Sequence, residues 1–111
     1  MENAYEVHKE AAARGATIVW IASGVFLYIA TENANLWPTL IFIFVGVFAG
    51  ELVFGGAHHL AQRGIVKLLM PFIKAPTARA AVPESIGFVM MAIEPVIIYL
   101  VARWVFHRFA V

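Results

Sequence analysis

Residues 39–59 read TLIFIFVGVFAGELVFGGAHH. Before the His58–His59 pair, Glu51 alone interrupts an apolar run long enough to cross a hydrocarbon core, which takes about 20 helical residues. Pro38 precedes the run, where a proline is preorganised for a first helical turn. The stretch predicts a membrane-spanning helix over 39–59, and the rest of the chain is read by asking what stands beside it.

On the N-terminal side, Ala16–Ala30 (ATIVWIASGVFLYIA) is apolar but short. The helix-forming run Glu10-Ala11-Ala12-Ala13-Arg14 extends it to a span over 12–30. On the C-terminal side, 86–106 predicts a third span, with Ser85 at the N-cap and Glu84 favourable beside a helix N-terminus. Between the last two spans lies Leu60–Lys74 (LAQRGIVKLLMPFIK). At 100° per residue Arg63, Lys67 and Lys74 fall within ~40° of one another, and Ile65, Leu68, Leu69, Phe72 and Ile73 cover the remainder. That pattern predicts a basic amphipathic helix over 60–74, lying in the membrane interface with its cations on lipid headgroups. Pro71 bends or ends it, and Ala75–Pro83 reads as a flexible loop. The expected fold is an all-α membrane protein in a single domain, 1–111: three transmembrane helices, up-down-up, with the interfacial helix between the second and third.

Composition points the same way. The chain is 62% apolar and 14% charged, with a mean hydropathy of +0.83, against about 45–50% and about 25% for a soluble domain. A net charge of +1 and the lack of a basic stripe exclude nucleic acid as an expected partner. The sequence has no cysteine, which removes disulfides, thiolate metal sites and cysteine nucleophiles. The N-terminus, with Glu2, Glu6 and Glu10 against Lys9 and Arg14, does not read as a cleavable signal, whose first region is short and basic. Together with His8 these acids read as a solvated helix face, with Glu10–Arg14 an i, i+4 pair.

Lys and Arg counting sets the orientation. Lys9, Arg14, Arg63, Lys67, Lys74 and Arg79 fall on one side of a three-span chain; Arg103 and Arg108 fall on the other. The N-terminus and second loop are therefore expected in the cytoplasm and the C-terminus outside. The aromatic residues Trp20, Tyr28, Trp37, Tyr99 and Trp104 lie toward span ends, as interfacial belts do.

Chemistry is expected where ionisable groups enter the spans. Glu51 and Glu94 are such groups, and intramembrane carboxylates face protein or water and carry function. At 1.5 Å per residue each lies ~12 Å from the inner end of its span, with Ser23 near the same level. They share a proton or bind a cation in one reading, and each hydrogen-bonds a neighbouring helix in the other. Pro95 frees the carbonyl of Met91, which then needs its own partner. His58 and His59 are the metal or haem candidates. Adjacent histidines diverge by ~100° on a helix, so they do not share one ion. Gly55 and Gly56 leave a shelf where a flat ring could meet a single histidine. The small residues Gly46, Ala49, Gly50, Gly55, Gly56 and Ala57 form a helix-packing surface, facing span one, span three or another chain. Ser23 and Ser85 lie in no nucleophile motif, and no phosphate loop or HExxH occurs.

In size and span count the chain resembles the small membrane anchors of succinate dehydrogenase and fumarate reductase, and Gly56-Ala57-His58-His59-Leu60 loosely matches their haem-ligating stretch. Their second motif, a His followed eleven positions later by Asp-Tyr, is missing from a sequence without any Asp, so no residue role is transferred. The leading expectation is a small non-catalytic subunit of a larger membrane complex, respiratory or oxidative, whose neighbours (other integral subunits or copies of itself) complete the surroundings of the acids. The alternatives are a homo-oligomeric transporter or channel for protons or cations using Glu51 and Glu94, and a redox anchor holding haem on His58 or His59.

Overall fold

His8, Ala12, Ala16, Trp20, Ser23 and Leu27 recur at three- and four-residue spacing, and all six are buried. They form one stripe of a single long helix, α1 (Glu2–Ala30), because positions i, i+4 and i+7 share a helix face. The computed structural model describes residues 2–111; the side chains of residues 2–4 and of Glu51 lie outside the described residues. Every regular element among the described residues is helical. After α1 come α2 (Leu36–Ala49), a π-helical segment (Gly50–Gly55), α3 (Gly56–Leu69), a 3-10 turn (Met70–Phe72) and α4 (Pro76–Phe109).

Two helices are long and apolar enough to cross a membrane, Tyr5–Ala30 within α1 and Pro76–Phe109. The expected middle span is a bent pair, its halves meeting at 41°, and counts as a third crossing only if the pair is taken as one. The helices form a rod of 56 × 19 × 16 Å.

The seam between α1 and the middle helices is set by glycines. A Cβ at Gly46 would run into the Trp20 ring, and one at Gly50 into Thr17 Oγ1. One at Gly55 would meet Ala13 Cβ at 3.0 Å. The small-residue surface therefore faces α1, one of the three neighbours open to it from sequence. Gly46 and Gly50 share a face of a regular helix, but Gly55 would sit about 140° away at 100° per residue. The i→i+5 bonding of a π turn sets residues five apart nearly over one another, and this returns Gly55 to α1. Trp20 fills the same seam: its ring stacks on Phe42 at 4.5 Å between centroids, and its indole N–H donates to the Phe42 carbonyl at 2.8 Å. Gly56 has nothing within 4 Å and Ala57 is exposed, so the packing surface ends at Gly55.

α3 is amphipathic, with His58, Gln62 and Val66 buried at four-residue spacing and Arg63 and Lys67 exposed. It ends in the 3-10 turn containing Pro71, as a residue without an N–H requires. The helix starts at Gly56, inside the stretch assigned to the second span, and packs on α1 and α4.

The flexible loop expected over Ala75–Pro83 is corrected: α4 begins at Pro76, so Ser85 is an interior helical residue and not an N-cap. Pro76 suits a first turn, and Ala78, Ala80 and Ala81 are strong helix formers. Arg79 closes the corner by donating from Nη1 to the carbonyls of Met70 and Ile73, both at 2.7 Å. At the opposite end of the rod, the Asn35 amide donates to the Ala110 carbonyl at 2.7 Å, tying the start of α2 to the end of α4.

Candidate functional site

Four polar side chains from three helices meet in the bundle interior. His8 stands on α1, His58 and Gln62 on α3, and Glu94 on α4. His8, His58 and Gln62 are 4%, 2% and 0% exposed. At four-residue spacing His58 and Gln62 lie on one face. On α4, Pro83 and Gly87 form a matching shelf: a Cβ on Gly87 would overlap His8 Nδ1 and come within 2.7 Å of Gln62 Nε2. Glycine there lets the two side chains rest on the α4 backbone, and Phe88 covers the His8 ring at 5.1 Å.

The chain of hydrogen bonds has a readable direction. Gln62 Nε2 lies 2.8 Å from the Pro83 carbonyl oxygen, which only accepts, so this end of the amide is the NH2 group. The same nitrogen lies 3.2 Å from His8 Nδ1, which therefore accepts and leaves the proton of His8 on Nε2. The amide oxygen then faces His58 Nε2 at 3.1 Å, so His58 Nε2 must carry a hydrogen. The other ring nitrogen, Nδ1, is 2.5 Å from Glu94 Oε2. A bare nitrogen lone pair facing a bare carboxylate oxygen at that distance would repel, so one proton lies in this contact. Imidazolium with carboxylate and imidazole with carboxylic acid both satisfy the pattern, and both are electrically neutral. That neutrality answers the cost of placing Glu94 among apolar helices.

Among the described residues this is the one ion pair; Glu10 and Arg14 do not form the expected salt bridge. Glu94 meets His58, while the side chain of Glu51, its expected partner, lies outside the described residues. Ser23 is buried and stands on the α1 stripe two turns beyond Ala16, apart from the four-residue chain. His8, expected on a solvated face, is buried instead; the apolar stripe it shares with Ala12, Ala16 and Trp20 is the signal that places it. Gln62 was not singled out in the sequence, although its spacing from His58 puts both on the apolar side of α3.

Both ring nitrogens of His58 are engaged, so ligating an iron there would break the bonds to Glu94 and Gln62. His59 points the other way. Its Nε2 lies 3.4 Å from Arg63 Nη1, its Nδ1 is buried without a hydrogen-bond partner among the described residues, and its ring meets Tyr5 edge-on at 6.2 Å. Arg63 also sits over the Tyr5 ring at 5.4 Å, while Lys67 and Lys74 are exposed. Among the described residues no three His, Asp or Glu side chains converge as a metal site.

Beside the pair is a half-open cavity of about 290 Å³, lined by apolar side chains of α3 and α4, by Ala12 of α1 and Phe54 of the π segment, and by His58 and Glu94. A larger groove of about 780 Å³ runs along α1 past Lys9, Glu10, Arg14 and Thr17. Comparison with known protein families, curated proteins and solved structures finds no match, so the reading of this site stands on its own geometry.

Proposed function

We propose that this chain is a three-span membrane protein that handles protons, binding one in the contact between His58 and Glu94. The supporting observation is the directional chain from His8 through Gln62 and His58 to Glu94, which accounts for every proton except the one held by the pair. The bent middle helices act as one crossing in this reading. His8 and Gly87 then stand level, each 22 residues and ~33 Å from the far helix ends at Ala30 and Phe109. That is just past a hydrocarbon core of ~30 Å, so His8 and Gln62 mark the cytoplasmic boundary. Glu94 lies seven residues further along α4, ~10 Å deeper.

Gln62 has a separate part. An amide donates and accepts but does not gain and lose a proton as imidazole does, so it divides His8 from the pair. Exchange with the cytoplasmic side needs Gln62 to leave the Pro83 carbonyl, which makes this side chain the inner gate.

The expectation of a subunit in a larger assembly rested on two acids needing partners from outside. Glu94 finds its charge partner, His58, within the chain, and that favours self-contained proton handling over the subunit reading. The proposal is tested by reconstituting the protein into liposomes and following an internal pH dye after a pH step. Wild-type protein should dissipate the gradient, and Glu94→Gln should slow this at least ~10-fold, the scale of losing one positioned acid or base. Equal rates for the two would refute it.

A further inference from the structure

The cavity beside the pair has a polar end and an apolar body, and their chemistry defines an occupant. Ala57 and Ala61 on α3 face Met90, Ile93 and Ile97 on α4 across it. At about 290 Å³ it lies at the small end of ligand sites, the size of one ring with a short chain. The Glu94 side chain is 22% exposed, against 0% for His58, so the acid is what the cavity presents. Its Oε2 is taken by His58, and among the described residues its other oxygen has no hydrogen-bond partner.

The proton count of the pair then sets the sign of the contact. One proton already lies between Nδ1 and Oε2, so the remaining oxygen has none and only accepts. An anionic headgroup would set charge against this oxygen. A cationic one would add an unbalanced charge to a pair that is already neutral. A neutral donor fits without disturbing the balance. We infer that this cavity binds a neutral lipophilic hydroxyl compound from the bilayer, a phenol or alcohol of single-ring size, with its O–H donating to the free oxygen of Glu94 and its hydrocarbon among the alanines of α3.

The inference rests on the proton-handling reading through the proton count, and the experiment separates the two. Protein in lipid nanodiscs is photolabelled with an alkylphenol carrying a diazirine on its chain, in competition with 4-hexylphenol or 4-hexylanisole. The anisole keeps the ring and chain but carries a methyl on the oxygen in place of the hydrogen to donate. Labelling should map to 57–61 and 90–97, and 4-hexylphenol should displace it about tenfold better than 4-hexylanisole, the scale of one hydrogen bond. Ala57→Phe fills the cavity from an exposed position and should abolish the displaceable label; Ala61→Leu provides a second filling variant. Displaceable, donor-dependent label without proton flux in liposomes would support this site while removing the proton-handling role. Uncompeted label, equal competition by the two compounds, or label that persists in both filled variants would overturn the inference, whatever the flux.

Discussion

At the scale of single residues, the His58–Glu94 pair behaves as a unit because neither member is tolerable alone. Replacing His58 by Phe leaves Glu94 facing an apolar ring, and stranding one member of a buried ion pair costs ~3–5 kcal/mol. Glu94 keeps part of its surface exposed, which places the expected loss at the lower end of that range. Replacing both (His58→Phe with Glu94→Leu) removes the charge together with its partner and should recover most of the loss. Unfolding in mixed micelles measures all three variants, and purely additive losses would show that the two side chains do not interact. Gln62 differs in kind. It has no charge, yet the fixed polarity of the Pro83 carbonyl passes through its amide to require a hydrogen on His58 Nε2.

At the scale of elements, the α1 seam separates two glycines that look alike in sequence. Gly46→Ala drives a methyl into the Trp20 ring, and overpacking of this kind costs ~1–3 kcal/mol. Gly56→Ala meets open space and gains helix propensity, worth up to ~1 kcal/mol. The same unfolding measurement should rank Gly46→Ala below wild type and Gly56→Ala at or above it; the reverse order would place the helix seam elsewhere. The π segment also explains which parts of the fold were legible. The apolar runs, the helical class and the break at Pro71 follow from local pattern. The burial of Gly55 depends on a change of helical period, which no regular repeat reveals. The helix through Ala75–Pro83 was hidden for another reason. Two prolines in nine residues argue for a loop, and only the Arg79 bonds to Met70 and Ile73 and the seating of Pro83 under Gln62 make a continuous helix the better solution. For the site, Glu94 and His58 were visible as intramembrane and span-end polar groups, but their pairing was not, because it joins positions 58 and 94 through a bend no local rule predicts.

At the scale of the whole molecule, length and charge combine. α4 at 1.5 Å per residue is ~51 Å long, about 20 Å more than a hydrocarbon core; in the three-span reading its first turns would project beyond the bilayer on the side rich in Lys and Arg. Topology is testable on a clean background, since the chain has no native cysteine. In the three-span reading an impermeant maleimide should label Asn33→Cys from outside and Thr77→Cys from the cytoplasm. Labelling of both from one side would make the bent pair a re-entrant hairpin. The site draws on α1, α3 and α4, and this distribution governs the order of biogenesis. While the ribosome has released only the first two-thirds of the chain, His58 has no acid to meet and Gln62 no carbonyl to hold. In the three-span reading the leading hairpin, packed through Trp20 at Gly46, precedes α4, and the polar interior is completed only when that last helix follows. In the three-span reading a product truncated before α4 is therefore left with His58 short of its acid, a polar defect that the finished chain does not carry.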